Sequence, residues 1–311
     1  MITLDFPALE ASPKPPTFDD VHVATILDDF YETAWGYEFT TYPLKPDSWE
    51  HTLQANPIDL LLVESAWAGS NGVWRYKLTG ENAPASELLD LTNYCKSKGI
   101  PTVFWNKEDP PHFEDFLETA KLFDAVFTSD TNKIPDYRQA LGHSRVEALS
   151  FAAQEAIHNP IRPNHGYHER DIAFAGMYFA HKYPERREQM DLLLGAAYSA
   201  SEKMQTGLEI FSRFLGDNPN YQFPTPYNTR VVGSLPYPKM LTAYKVFLNV
   251  NSVTDSPSMC ARRVFEITAS GTPVVTTRSE AIPRFFDPAE GPVVDTREEA
   301  RHVLAALVQS P

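Results

Sequence analysis

The sequence contains little cysteine: its two cysteines, Cys95 and Cys260, lie in no CxxC pair and near no histidines with metal-ligand spacing. This excludes a disulfide scaffold and a cysteine-based zinc module. We therefore expect both thiols to be small core residues of a protein from a reducing compartment, the cytoplasm. The nine histidines are scattered, so we predict neither a metal site nor a cofactor.

Long apolar runs are also missing. The longest, such as DLLLV at 59–63, have the length of a strand and are too short for a membrane span. The first 20 residues lack the basic and apolar regions of a signal peptide. Basic residues are the minority, since 27 lysines and arginines stand against 41 acids, a formal net charge of −14. This balance argues against a general nucleic-acid-binding or acidic-membrane-binding surface but allows a local basic pocket.

The chain does contain material for two domains. Its 311 residues are 42% hydrophobic and 12% aromatic, which is enough for two ordinary cores. Short apolar runs alternate with segments of helical spacing; in 85–99, for example, Leu88, Leu91 and Cys95 recur at three- and four-residue intervals before Gly99. Continuously apolar strands that alternate with helices predict parallel sheets covered on both faces.

The alternation breaks at 156–170, where prolines, polar residues and histidines indicate a linker. We predict an N-terminal arm at 1–20, an α/β domain at 21–155, this linker, and a second α/β domain at 171–311, in which 237–247 forms a helix and 246–251 a strand. Open α/β sheets bind ligands beyond the carboxyl ends of their strands. Two such domains, with their sheets facing a central cleft, would bind a ligand between them.

A charged helix is predicted near the end of the chain. Ser256 and Pro257 suit its N-terminus, and Gly271 suits the position after its last turn. The helix is otherwise apolar, which predicts that it is buried on most sides.

Three charged residues of this helix, Arg262, Arg263 and Glu266, lie three or four positions apart and therefore share one stripe of its surface. One interpretation is an ion-pair network within the domain. The other is a nucleotide site, because a helix N-terminus and an arginine both attract a diphosphate. A glutamate about two turns into the helix can accept hydrogen bonds from both hydroxyls of a ribose.

This region, LNVNSVTDSPSMCARRVFEITASGTPVVTT, resembles the donor-binding end of GT-B glycosyltransferases, and more narrowly the spore-maturation (CgeB-like) group. The segments FWNKEDPPHFEDFLETAKLFDAVFTSD and DIAFAGMYFAHKYPERR resemble the same group, and the resemblance covers nearly the whole chain from about residue 20. It implies the GT-B fold of two Rossmann-like domains. It also implies metal-independent transfer of a sugar from a nucleotide-sugar, which we expect to be a UDP-sugar.

The resemblance further implies roles for individual residues. Glu266 would hold the donor ribose, and Arg263 would hold the diphosphate. The other donor-side candidates are Gly176, Met177, Tyr178, Arg186, Arg187, Arg213, Ser258 and Arg262. Many retaining GT-B enzymes carry a second glutamate upstream, but the position eight residues before Glu266 is Ser258. The stereochemical outcome therefore stays open.

The first domain offers candidates for the chemistry at the acceptor. Sugar transfer needs a base that takes the proton of the attacking hydroxyl. Asp109, Glu108 and His112 follow a strand that ends near residue 104, and any of them can be this base, with Glu64 next in order. Asn106, in the same loop, is a candidate for acceptor binding. The structural alternative is that Asp109 and the prolines after it only form a turn.

The loop that follows Glu64 presents Trp67 and Trp74. Indoles stack well on sugar faces, which predicts an acceptor-binding loop, although either indole can instead cover the core. The tryptophans favour a glycosyltransferase over a nucleotide-sugar epimerase, which would not need an acceptor. The charged helix favours both enzymes over a non-catalytic binder of nucleotides or sugars. The identity of the acceptor is not predicted.

The last predicted helix runs to the end of the sequence at Pro311. In GT-B proteins the chain usually continues through helices that cross back onto the first domain. We therefore expect the sequence to be a truncated form or the core of a longer protein. Alternatively, the arm, another chain or a second copy of this chain covers the surface that would otherwise be exposed.

Overall fold

The structure is a computed structural model, and its described residues are 14–161, 169–212, 218–233, 238–287 and 292–309. Contacts between residues divide the chain into two compact units. The first unit holds 14–151 together with Ser256–Met259, and the second holds the described residues of 152–255 and 260–311. None of the helices in the described ranges is both long and apolar enough to cross a membrane.

The first unit alternates strands and helices. In chain order its elements are β1 (Phe18–Ile26), α1 (Asp29–Trp35), β2 (Phe39–Pro43), α2 (Trp49–Ala55), β3 (Leu60–Glu64), α3 (Ser86–Lys98), β4 (Thr102–Asn106), α4 (Phe113–Ala120), β5 (Ala125–Thr128), α5 (Ile134–Leu141) and β6 (Val146–Ala148). The strands pair in parallel in the order β2-β1-β3-β4-β5-β6. The order reverses at β1, because β2 lies on one side of it and β3 on the other. Such a switch point opens a ligand crevice at the carboxyl ends of the strands.

The second unit repeats this architecture. In chain order its elements are β7 (Arg170–Ala175), α6 (Pro184–Ala200), β8 (Leu208–Phe211), β9 (Val231–Gly233), β10 (Tyr244–Asn249), α7 (Arg262–Ala269), β11 (Val274–Thr277), α8 (Ile282–Phe285), β12 (Val293–Val294) and α9 (Arg297–Gln309). The parallel strand order is β12-β11-β10-β7-β8-β9, so the switch point lies between β7 and β10. The prediction of two α/β units with parallel sheets is confirmed.

Helix α3 shows how local sequence sets the bounds of an element. Leu88, Leu91 and Cys95 are fully buried on the face toward the sheet. Gly99 follows the helix with a φ of 70°, a left-handed conformation that favours glycine, and its N–H donates to the carbonyls of Cys95 and Lys96. The predicted helix and its glycine stop are confirmed.

Three predicted boundaries differ from the structure. The charged helix begins at Arg262 and not at Ser256, because the Ser256 hydroxyl donates to Asp130 Oδ1 at 2.6 Å and accepts from the N–H of Met259. Within the segment 237–247, predicted as a helix, Pro238–Ala243 forms a short 3-10 helix, and the strand predicted at 246–251 begins earlier, at Tyr244, as β10. The first strand starts at Phe18, within the predicted arm 1–20. Residues 1–13 of that arm and 162–168 of the predicted linker lie outside the described residues.

Candidate functional site

The carboxyl ends of β7 and β10 meet at the switch point of the second unit. Gly176 follows β7, and Ser252 lies in the loop after β10. Arg186, in the first turn of α6, reaches both: its Nη1 donates to Ser252 Oγ at 2.9 Å. Its Nη2 lies 3.1 Å from the position that a Cβ at residue 176 would take, and the ring of Phe174 is as close as 2.9 Å. Glycine at 176 therefore allows the guanidinium to approach the backbone.

Arg186 is charged but lacks a carboxylate partner among the described residues. Burial lowers the pKa of its guanidinium to about 10. Its Nε is buried and has no hydrogen-bond partner within the described ranges. A half-buried guanidinium without an acidic partner suits an anionic ligand, above all one with phosphate oxygens.

A buried amide network holds the loop after β10 in place. Gln189 Nε2 donates to the carbonyl of Asn251 at 2.9 Å, and Gln189 Oε1 accepts from the N–H of Asn251 at 2.8 Å. The same Oε1 accepts from Thr277 Oγ1 at the end of β11. Asn251 Nδ2 donates to the carbonyl of Thr277 at 2.8 Å. These bonds fix the backbone next to Ser252 and thereby the position of its hydroxyl.

Helix α7 carries the predicted charged stripe. Arg262 Nε lies 2.7 Å from Glu266 Oε1, four residues on, and the Glu266 side chain is 4% exposed. Val264 and Ile267 are buried in the core of the second unit, while Arg263 is half-buried. The ion pair is what the network interpretation predicts. A carboxylate accepts up to about four hydrogen bonds, however, so one arginine does not saturate it.

The other donor-side candidates differ in burial and in the groups that they contact. Met177 is half-buried after Gly176, and Tyr178 is buried against Phe223. Arg187 donates to the carbonyl of Phe179 at 3.1 Å, so it shapes the loop after β7. Arg213 lies outside the described residues.

Ser258 belongs to the first unit by its contacts. Its hydroxyl donates to the carbonyl of Ser129 at 2.9 Å and accepts from the N–H of Thr131 at 2.9 Å. Both bonds are to the segment that follows β5. The predicted donor-side residue Ser258 therefore forms hydrogen bonds to backbone groups of the first unit.

The switch point of the first unit holds three charged side chains, Asp28, Glu64 and Lys107, which we call the ion triad. Asp28 lies two residues after β1, Glu64 is the last residue of β3, and Lys107 directly follows β4. Lys107 Nζ lies 2.7 Å from Asp28 Oδ2 and 2.8 Å from Glu64 Oε1. The N–H of Asp28 also donates to Glu64 Oε1, at 2.6 Å. The sequence predicted Glu64 as a candidate base but predicted no role for Lys107 or Asp28.

Burial controls the charges of the ion triad. It raises the pKa of Glu64, and the ammonium of Lys107 opposes this rise. Burial alone lowers the pKa of Lys107, but the carboxylates of Glu64 and Asp28 outweigh it and raise this pKa above its ordinary value. Lys107 therefore stays protonated, and the triad carries one net negative charge when both acids are ionised.

The predicted catalytic loop after β4 is partly a core structure. Asp109 and Asn106 are fully buried. Asp109 Oδ1 accepts from Asn106 Nδ2 at 2.8 Å, and Oδ2 accepts from Thr128 Oγ1 at 2.6 Å. Asn106 Nδ2 also donates to the hydroxyl of Tyr137 at 2.8 Å. Within the first unit these side chains tie the loop to β5 and α5 and do not reach solvent.

Asp109 should make the stability of the first unit depend on pH. Burial raises its pKa to about 7, while hydrogen bonds from Thr128 and Tyr137 oppose the rise. The folded state thus holds a proton that the unfolded state releases above about pH 4, so this group's contribution falls as pH rises toward 7. Urea titrations measure the free energy of unfolding at each pH. Between pH 5 and pH 7 this free energy should fall by about 2 kcal/mol less in Asp109→Asn than in the wild type.

All five tryptophans lie at positions 35–105, so tryptophan fluorescence follows the first unit in this measurement. Glu64 is present in both proteins, and its own pH dependence cancels in the comparison. Asp136→Asn, at a half-exposed carboxylate paired with Lys133, should behave as the wild type does. Equal pH dependence in the wild type and Asp109→Asn would contradict the raised pKa.

The structure brings together His112 and Trp67 at the surface. Their rings meet edge to face with centroids 4.9 Å apart, and Trp67 is 43% exposed. His112 Nδ1 lies 2.7 Å from Asp115 Oδ2, which orients the imidazole. Glu108 is half-buried, and its N–H donates to Ser65 Oγ at 3.2 Å.

Trp74 lies apart from this pair. It is fully buried, and its Nε1 donates to the carbonyl of Leu44 at 2.8 Å. It therefore occupies the core position that the sequence left open as the alternative to acceptor binding. Among the described residues, no group of three or more His, Cys, Asp or Glu side chains is arranged to hold a metal ion.

Comparison with known proteins identifies relatives of both the sequence and the fold. Residues 193–311, which include α7 and the loop after β10, match the Glycosyl transferase-like family. The spore protein CgeB of Bacillus subtilis (strain 168) is 28% identical over 101 residues. This alignment spans 32% of the present chain and 30% of the length of CgeB.

Two solved structures of Anabaena Alr3699/HepE are similar in fold, one in complex with UDP and glucose and one with UDP-glucose. Each has a TM-score of 0.51 and 13% sequence identity, and covers 93% of this chain and 82% of the Anabaena chain. The two six-stranded parallel sheets with flanking helices thus form the GT-B fold of glycosyltransferases, and residues 193–311 match the Glycosyl transferase-like family.

Proposed function

We propose that this protein is a glycosyltransferase that moves a sugar from a UDP-sugar to a hydroxyl group of an acceptor. The observation that carries the proposal is Arg186 at the switch point of the second sheet. Its guanidinium lies beside Gly176 and Ser252 and has no carboxylate partner among the described residues. A diphosphate supplies the negative charge and the paired oxygens that such a group binds best.

Helix α7 supplies the remaining donor contacts of the proposal. It follows the loop at the carboxyl end of β10, so its N-terminus lies at the same edge of the sheet as Gly176. Glu266 accepts hydrogen bonds from the ribose hydroxyls, while Arg263 and Arg262 bind the diphosphate. Because arginines neutralise the leaving diphosphate, the proposed transfer does not need a bound metal ion.

The relatives support the finer assignments. UDP and UDP-glucose are present in the Anabaena structures, which favours uridine as the base. The match to CgeB favours the spore-maturation group. On the acceptor side we assign the exposed indole of Trp67 and the imidazole of His112 to one face of the acceptor. A cytoplasmic location, where nucleotide-sugars are made, belongs to the same proposal.

A thermal-shift panel of UDP, GDP, dTDP, ADP and their sugars tests this function. UDP compounds should raise the melting temperature most, since a ligand at 100 times its Kd adds about 2.7 kcal/mol to stability. Arg186→Met should weaken UDP binding by about 10-fold in calorimetry, the loss of a charged hydrogen bond. Arg301→Met, at an exposed arginine of α9, is the matched control and should bind UDP normally. If no nucleotide binds the wild type, the proposed function is wrong.

A further inference from the structure

The ion triad combines two buried charged side chains with one that is accessible to solvent. Glu64 is 0% exposed and Lys107 is 7% exposed, yet the Asp28 side chain is 34% exposed. Glu64 Oε1 already accepts from both Lys107 and the N–H of Asp28, and the ammonium of Lys107 lies 4.7 Å from the centre of the Tyr31 ring. Asp28 is therefore the member through which the triad reaches the surface.

The loop next to Asp28 is held in a strained backbone conformation. Four successive residues, Gly69 to Gly72, have φ values of 53°, 39°, 60° and 89°. The two in the middle, Ser70 and Asn71, are not glycines; asparagine adopts left-handed backbone readily, but serine does so rarely. Strain of this kind persists where the surroundings fix it, and it concentrates at functional sites.

The residues that fix this loop follow β1 directly. Asp28 Oδ1 accepts from the N–H of Gly69 at 3.1 Å, and Asp29 Oδ1 accepts from the N–H of Asn71 at 2.9 Å. Trp67, the exposed indole, lies two positions before Gly69 in the same loop. The strained loop thus joins the accessible carboxylate of the triad to an aromatic surface that suits a sugar ring.

We propose that Asp28 is the catalytic base of the acceptor site and that Lys107 is the positioning residue that orients its carboxylate. This inference rests on the proposed function. Asp28 takes the proton of the acceptor hydroxyl while that oxygen bonds to the anomeric carbon of the donor sugar. The bond from this carbon to the diphosphate oxygen breaks, and the nucleoside diphosphate leaves with the electron pair. Asp28 then releases the proton to water.

The geometry also defines the class of acceptor. The carboxylates of Asp28 and Asp29 at this surface repel an anionic acceptor, and the indole of Trp67 offers an apolar face. These features fit a neutral sugar with a free hydroxyl. Because a base-assisted single displacement attacks opposite the leaving group, the product has the inverted anomeric configuration.

Asp28→Asn is the direct test, because it keeps the size of the side chain and an oxygen for the N–H of Gly69 but removes the base. Transfer from UDP-glucose to a panel of neutral p-nitrophenyl glycosides should fall at least about 100-fold, the usual contribution of a general base. Calorimetry should show unchanged UDP affinity. Asp136→Asn is the matched control: it alters a half-exposed carboxylate of the same unit outside the triad and its loop, and it should transfer at the wild-type rate.

Several outcomes would overturn the assignment. If Asp28→Asn keeps more than about a tenth of the rate, the base is not Asp28. An equal loss in Asp29→Asn, which alters a carboxylate bonded to the same loop, would show that the loop structure matters and the base does not. A product of retained configuration, or transfer to none of the neutral glycosides by a wild type that binds UDP, would also refute it. Failure of the wild type to bind UDP would instead refute the proposed function.

Discussion

Replacement of Lys107 with methionine should lower the free energy of unfolding of the first unit by about 3–5 kcal/mol, the cost of removing one partner from a buried ion pair. Lys107 is 7% exposed and is the cation between Asp28 and Glu64. Methionine has a similar length, so the loss comes from the charge and not from a cavity. Glu64 would then be a buried carboxylate with no neighbouring ammonium.

The loss should also depend on pH. Burial already raises the pKa of Glu64, and without Lys107 nothing comparable opposes this rise. A protonated Glu64 costs less to bury, so Lys107→Met should be closer to the wild type at pH 5 than at pH 8. Urea unfolding followed by tryptophan fluorescence measures this. The control is Lys77→Met, which breaks a partly exposed pair with Glu87 and should cost at most about 1 kcal/mol. Similar losses for the two variants would contradict the account.

The alternation of strands and helices was predictable because it depends on local pattern. Buried positions in α3 follow the helical period, and Gly99 ends the helix by its own backbone preference. The start of α7 was not predictable in this way. Ser256 and Pro257 carry a good local signal, but the Ser256 hydroxyl bonds to Asp130, which is 126 residues away in sequence. A tertiary contact therefore decided where the helix begins.

Strand β10 shows the same limit. The sequence predicted a helix over 237–247 and a strand only from Val246, yet Tyr244 already pairs with Arg170 of β7, and its hydroxyl donates to Glu209 of β8 at 2.8 Å. The central place of this strand in the sheet outweighs the local preference.

The candidate site also combines contacts that local sequence predicts with contacts that depend on the tertiary structure. Arg262 and Glu266 lie four residues apart on one helix, so their contact followed from sequence spacing alone. The ion triad joins residues 36 to 79 positions apart, and it depends on the strand order around β1, β3 and β4. Nothing in a single sequence states that order. The burial of Asp109 was equally hidden, because it depends on Thr128 in the neighbouring strand.

The proposed ribose contact predicts a large effect at Glu266. Glu266→Ala should weaken UDP binding by about 1.5–3 kcal/mol, or roughly 10- to 150-fold, the range for hydrogen bonds to a charged group. The side chain is 4% exposed beside Arg262, so few waters compete for the carboxylate. Calorimetry with UDP measures the loss, and circular dichroism shows whether the variant is folded.

A second ligand separates a direct ribose contact from a general effect of breaking the ion pair. The compound 2′-deoxy-UDP lacks one of the hydroxyls that Glu266 would accept. It should bind the wild type more weakly than UDP does, whereas Glu266→Ala should distinguish the two ligands much less, as in a double-mutant cycle. Glu280→Ala removes the acid of another i,i+4 pair of the second unit, the one with Arg284, and should change neither affinity. If folded Glu266→Ala binds UDP as the wild type does, or discriminates against 2′-deoxy-UDP equally well, Glu266 serves the helix and not the ribose.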